Sequence, residues 1–151
     1  DTGRDGFQVA LDVSAYSLIP VCRYGAPLMA PDGGNIVTMT FQASSRVFPG
    51  YNVMGTAKAA LENEVKQIAS DLGEEGIRIN AISAGPLDTL SSRVISRYRD
   101  MKKVHEERSP MRRNITVDEV AKTALYLCSD LASGVTGEII HVDTGYNIMG
   151  L

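Results

Sequence analysis

An α/β fold built on a parallel sheet is the class this sequence predicts, and three observations carry it. NIVTMTF (35–41), IRINAISAG (77–85) and GEIIHV (137–142) are near-continuous β-branched or apolar runs. Strands of that kind lie inside a sheet covered on both faces. Stretches with apolar residues at helical spacing precede each run. The resulting order is helix, strand, helix, strand, helix, strand. With right-handed crossovers this is half of a doubly wound fold.

The elements follow in chain order. Phe7, Val9, Ala10, Val13, Tyr16, Leu18, Val21 and Leu28 mark a helix over 7–30. Pro20 should disturb it, because proline has no N–H to donate. APDGGN (30–35) is turn chemistry. The first strand, 35–41, leads through the loop QASSRVFPG into a long helix over 51–72, ended by EEG at 74–76. The second strand is 77–85. PLDTL then enters a polar segment with one or two helices over 92–108. Thr116 and Glu119 have the spacing of a capping box before a helix over 117–129. The last strand covers 138–142.

Composition excludes several function classes. The 151 residues suffice for one domain with its own core. A net charge of −3 creates no basic field for nucleic acid or an anionic membrane. No apolar run is long enough to span a bilayer, and no secretory signal is visible at the start. Cys22 and Cys128 lack metal-ligand spacing and read as buried free thiols of a reducing, cytoplasmic compartment. The chain opens on Asp1 and soon enters a helical pattern, which reads as a fragment.

The chemistry centres on YNVMGTAKAAL. Tyr51 and Lys58 stand seven apart. On a helix that is two turns, about 10.5 Å at roughly 1.5 Å per residue, so the two share a face. An ammonium near the phenol favours phenolate and lowers the phenol pKa, giving a proton donor usable nearer neutral pH. The spacing alone also fits an interfacial tyrosine and a solvated lysine. Gly55, Ala57, Ala59 and Ala60 permit close packing around the pair. His105, among Lys102, Lys103, Glu106 and Glu107, reads as part of a solvated helix face. His141 reads as a packed or hydrogen-bonded strand residue. Arg112 and Arg113 suit phosphate contacts, a cap or a carboxylate partner.

YNVMGTAKAALE, RINAISAGPLDTL, SPMRRNIT and TGEIIHVDTGYNIMG, in this order and spacing, resemble the short-chain dehydrogenase/reductase superfamily. Within it they resemble the bacterial enoyl-acyl-carrier-protein reductases, whose Tyr–Lys pair is spaced by seven rather than four. The resemblance implies a Rossmann-like fold, with residues 1–151 forming the C-terminal, substrate-side part of a single domain. It implies hydride transfer from NADH to the β-carbon of an enoyl thioester carried on acyl carrier protein, in a cytoplasmic homotetramer of fatty acid elongation. Tyr51 matches the tyrosine that holds the enolate oxygen, and Lys58 the lysine that binds the nicotinamide ribose. Met39, Pro86, Leu87, Asp88, Thr89, Leu90 and Ser91 match positions lining the cofactor. Met54, Ile95, Tyr98 and Met101 match positions facing the acyl chain. The last three, spaced by three, would share one face of a covering helix, a spacing that also suits plain core packing.

Departures from that pattern stand beside it. Phe41 occupies the position of a second, outer tyrosine and has no hydroxyl. Asp88 stands where a basic or neutral residue is usual. No glycine-rich turn follows a strand to seat a pyrophosphate, and Gly33-Gly34 precedes one. Hence the sequence predicts that the adenine and pyrophosphate side, with its strands, lies outside this chain. Two other readings remain: a truncated, catalytically impaired relative that acts by subunit association, and a related oxidoreductase acting on a ketone or alcohol.

Overall fold

The computed structural model describes residues 2–29, 32–90, 92, 95 and 97–150. The helical pattern over 7–30 divides into α1 (Arg4–Leu11), a π-helical turn (Asp12–Tyr16) and α2 (Leu18–Met29). Pro20 explains the break. Its missing N–H leaves the Tyr16 carbonyl without the usual donor four residues on. The chain absorbs this one turn earlier, where the Ser17 N–H reaches back five residues to the Asp12 carbonyl at 3.0 Å. Pro20 then sits in the first turn of α2, where an N–H has no intrahelical partner.

Next come β1 (Gly34–Thr40), α3 (Val53–Leu72), β2 (Ile77–Ala84), α4 (Tyr98–Arg108), α5 (Val117–Leu127) and β3 (Ile139–Val142). The strands match the sequence reading within a residue or two, and the Thr116–Glu119 capping box is formed. Two helix starts differ. Tyr51 and Asn52 form a turn ahead of α3, with Asn52 at φ 50°. Ile95 lies in a bend before α4, and Arg97 at φ 59° separates it from the helix. So the shared helical face holds for Tyr98 and Met101 but not for Ile95.

The sheet is parallel with order β1-β2-β3. Its register pairs Gly34 with Ile77, Thr40 with Ser83 and Ala84 with Val142. Ile79 and Ala81 of β2 pack against Leu61, Val65 and Ala69 of α3 and against Leu18 and Cys22 of α2. On the other face Ile82 packs with Leu127 of α5 and Ala132. Both faces are covered, as the apolar strand runs require. The chain steps in one direction across the sheet while α3 and α5 lie on opposite faces. The two crossovers therefore have opposite hands, which corrects the expectation that each is right-handed. That rule applies to compact βαβ units, whereas the second connection runs through Gly85–Glu138 and carries α4 as well as α5. Asn80, 1% exposed, secures the return: its side chain donates to the Val135 carbonyl and accepts from the Glu138 N–H.

Three side chains depart from their sequence readings. Cys22 is buried but Cys128 is exposed. His141 is exposed on β3. His105 is only 3% exposed. It lies on the face of α4 opposite Lys103, Glu106 and Glu107, which are solvated as expected. Its ring stacks 4.9 Å from that of Tyr146. A Cβ on Gly85 would come within 2.9 Å of His105 Nε2, so only glycine lets α4 seat this closely. Among the described residues neither ring nitrogen has a hydrogen-bond partner of normal geometry. Burial pushes the imidazole pKa below its ordinary value, and the nearby Asp143 opposes this in part.

Two outcomes follow. Leu61→Ala, opening a void between α3 and β2, should cost about 2–5 kcal/mol in urea denaturation. His105 binds protons more weakly folded than unfolded, so the unfolded state gains protons first as pH falls. Stability should hold above about pH 6.5 and decline below it as the unfolded imidazole protonates. The urea midpoint of His105→Leu should decline less steeply over the same range.

Candidate active site at the carboxyl ends of the strands

In open parallel sheets, ligands sit beyond the carboxyl ends of the strands. Here those ends deliver Phe41 after β1, Gly85 and Pro86 after β2, and Asp143 after β3. Phe41 begins a short helical turn, Gln42–Ser44, on which the start of α3 rests. Gly55 allows that approach, because a Cβ there would lie 2.7 Å from the Ala43 carbonyl oxygen. The turn at Tyr51–Asn52 therefore abuts the end of β1.

The Tyr51 ring lies 4.9 Å from Phe41, which lies 4.8 Å from Phe48. Tyr51 also lines a cleft of about 550 Å³ with Ser44, Arg46, Phe48, Asn52 and Gly55. A second cleft, about 540 Å³, lies at the amino ends of β1 and β2 around Gly34 and Ile77. It is at the wrong end of the sheet for this chemistry.

Lys58 points its ammonium at the end of β1 and donates to the Met39 carbonyl at 2.9 Å. Burial pushes its pKa below the usual lysine value, and Glu62 opposes that shift. The Tyr51 phenol is pushed above its usual value by burial. This corrects the expectation of a lowered phenol pKa. Tyr51 is not on α3, the ammonium is engaged by a strand carbonyl, and the Phe41 ring packs against the Tyr51 ring. Among the described residues no hydrogen bond joins Tyr51 to Lys58.

The segment after β2 is held from α4. Pro86 is buried and Leu87 half-buried, while Asp88, Thr89 and Leu90 are exposed. The Tyr98 hydroxyl donates to the Leu87 carbonyl. The Lys102 ammonium meets the Asp88 carboxylate at 2.6 Å. Asp88 thus has its own cation. Thr89 and Ser92 bond reciprocally. Ser91 lies outside the described residues. Met101 and Phe41 line one small cavity with Pro86, His105 and Tyr146. Met54 turns the other way: its thioether accepts from Ser14 of the π turn at 3.9 Å, and it does not line the Tyr51 cleft. Arg113 takes the carboxylate reading, binding Glu119 at 2.6 and 3.0 Å and holding that carboxyl at about 2. Arg112 donates to the Glu107 carbonyl.

Several members of the site escaped sequence reasoning. Phe48 and Tyr146 extend the aromatic row from Tyr51 towards His105. Arg46 ties the loop to the Asn147 and Met149 carbonyls. Glu62 accepts from the Thr40 hydroxyl at 2.6 Å. The aromatics carried a weak signal, since each lies just beyond a predicted strand or turn. Arg46 and Glu62 carried none, because their partners are remote in sequence.

Known proteins were compared against this geometry. The family model described as enoyl-(acyl carrier protein) reductase matches residues 1–147. The NADH enoyl-acyl-carrier-protein reductase FabI of Bacillus cereus is 53% identical over 150 residues, covering 99% of this chain and 58% of that protein. FabI of Bacillus subtilis is 50% identical over 148 residues, covering 98% of this chain and 57% of that protein. The crystal structure of the B. cereus enzyme with NADP+ and indole naphthyridinone superposes with a TM-score of 0.96 at 54% identity, over all of this chain and 58% of that one. The Aquifex aeolicus enzyme superposes with a TM-score of 0.97 at 47% identity, over all of this chain and 59% of that one. The chain thus spans somewhat over half the length of these relatives, with its α/β core and parallel sheet in common, and it belongs to the enoyl-(acyl carrier protein) reductase family.

Proposed function

We propose that this chain takes part in reducing the 2,3 double bond of an enoyl thioester on acyl carrier protein, with NADH as cofactor. The observation that carries the reading is the placing of Tyr51 and of the Met39-anchored Lys58 at the carboxyl end of β1. The donor set fits the nicotinamide-ribose end of the cofactor. An ammonium has three N–H donors, and the Met39 carbonyl takes one. Two remain for vicinal hydroxyls. When bound, NADH supplies a hydride to the β-carbon of the thioester.

This chain's residues provide the rest. The Tyr51 hydroxyl donates to the thioester oxygen as it gains enolate charge, a contact that strengthens towards the transition state. Its raised pKa keeps the phenol protonated at neutral pH, ready to donate. Lys58 binds the ribose and adds positive charge near the same oxygen. Pro86–Leu90, tied to α4 by Tyr98 and Lys102, bounds the nicotinamide. Ser91 belongs to the same segment in this reading. Tyr98, Met101 and Ile95 cover the acyl chain, while Met54, which accepts from Ser14 and lies off the Tyr51 cleft, stays outside that cover.

In this reading residues 1–151 are the substrate-side part of one Rossmann-like domain, and the protein works in the cytoplasm as a homotetramer. One observation supports assembly. Val9, Val13, Val21, Tyr24 and Leu28 of the α1–α2 region are 59–86% exposed, apolar surface of the kind that another subunit covers. The same face favours the second reading, a relative that acts mainly by associating with other subunits.

Tyr51→Phe should lower kcat on a crotonyl thioester about 100-fold or more, with NADH affinity by calorimetry little changed. Equal turnover would remove Tyr51 from the mechanism. Lys58→Ala should weaken both NADH binding and turnover, and unchanged NADH affinity would remove the ribose role. Phe41→Tyr restores an outer hydroxyl, on a ring whose centroid lies 4.9 Å from that of Tyr51. Its activity should equal or exceed that of the parent protein.

A further inference from the structure

The geometry points to Glu62 as a positioning residue for Lys58: it fixes the end of β1 through the Thr40 hydroxyl and supplies the counter-charge to the ammonium. The inference rests on the reading of Lys58 as the cofactor-binding lysine.

Lys58 and Glu62 are four apart on α3, so they project from one face on successive turns. Their partners are consecutive residues of β1. Lys58 Nζ donates to the Met39 carbonyl at 2.9 Å, and Glu62 Oε1 accepts from Thr40 Oγ1 at 2.6 Å. The two bonds clamp the strand end against the helix at two points. A hydroxyl donating to a carboxylate at that distance is a charge-assisted bond, stronger than its neutral equivalent. Thr40 is 5% exposed, so the bond is sheltered from competing water.

The clamp has a consequence for the ammonium. The Met39 carbonyl is the one acceptor that orients Lys58, and it lies next to the residue Glu62 holds. If the strand end were free to shift, the lysine would lose its orientation. Glu62 is also the carboxylate whose charge favours the protonated lysine against its burial. Among the described residues, Lys58 is held by the Met39 carbonyl of β1 and faces the charge of Glu62 on its own helix. The neighbouring Tyr51 is neutral at working pH. No other carboxylate of the described residues adds to the shift. Loss of Glu62 therefore removes the counter-charge outright.

The test uses the intact protein labelled with carbon-13 lysine, with Lys58 assigned by its loss in Lys58→Arg. The Cε resonance of Lys58 is titrated in the parent protein, Glu62→Gln, Glu62→Ala, Thr40→Val and Thr40→Ser. Glutamine keeps an acceptor for Thr40 and removes the charge, so the Lys58 midpoint should fall, with NADH affinity near the parent value at pH 7. Alanine should give the same fall and bind NADH about tenfold more weakly. Thr40→Val should weaken NADH binding without the full fall in midpoint, and Thr40→Ser should restore parent behaviour. An unchanged Lys58 midpoint in both Glu62 variants overturns the proposal. So does NADH affinity at the parent value in both Glu62→Ala and Thr40→Val. Should alanine unfold the protein, the near-isosteric glutamine carries the titration alone. If Lys58→Ala leaves NADH binding intact, the proposed function fails while the titration still decides the role of Glu62.

Discussion

Parallel pairing of β1 with β2 is the constraint from which the site follows. The register that sets Thr40 opposite Ser83 makes both chains leave the sheet at one level. Phe41 and Gly85 then emerge side by side, and the groups assigned to tyrosine chemistry and to the nicotinamide segment become neighbours. A one-residue slip would turn every side chain of β1 to the other face. It would also carry the Met39 carbonyl away from Lys58. Ile36 towards α3, and Val37 towards α5, make such a slip costly on both sides at once.

Burial outweighs charge pairing across this end of the molecule. Tyr51 is raised, and Lys58 and His105 are lowered, each chiefly by loss of water. The neighbouring charges, Glu62 for the lysine and Asp143 for the histidine, act in the opposite sense and do not prevail. A half-buried, protonated phenol at the same strand end as a partly desolvated ammonium suits a group that donates a hydrogen bond to a developing oxyanion. It does not suit one that must first become phenolate. What the structure corrects is the lowered phenol pKa; under the proposed function Tyr51 remains the group that holds the enolate oxygen, as a protonated donor.

The strands and α5 were legible in the sequence because their signals are local. β-branched runs, a capping box and the EEG stop act within a few residues. Pro20 was legible as a disturbance but not as a π turn, since the position of the compensating bond depends on how α2 packs against α3. Tyr51 was misplaced onto α3 because periodicity does not register a backbone reversal at Asn52, a residue type that tolerates positive φ. His105 was misread for a related reason. Its sequence neighbours are charged, and only the docking of α4 on Gly85 shows that the helix buries a single polar residue among solvated ones. The family motifs identified the site segments, yet they carried no information on Glu62, Phe48 or Tyr146, whose contacts are set by tertiary placement.

The turn at Tyr51–Asn52 makes the longer Tyr–Lys spacing compatible with the proposed pairing of the two groups. Were Tyr51 helical, its side chain would stand two turns from Lys58 on a rigid axis, with the phenol fixed relative to α3 rather than to the sheet. Placing it before the helix lets Phe41, itself packed on Phe48, orient the ring instead. The tyrosine is then referenced to the loop after β1, and the lysine to the Met39 carbonyl within β1. Both groups take their positions from the same strand end, so a shift of that strand moves them together. The relative geometry of donor and ammonium is therefore protected by the sheet itself rather than by a direct bond between them.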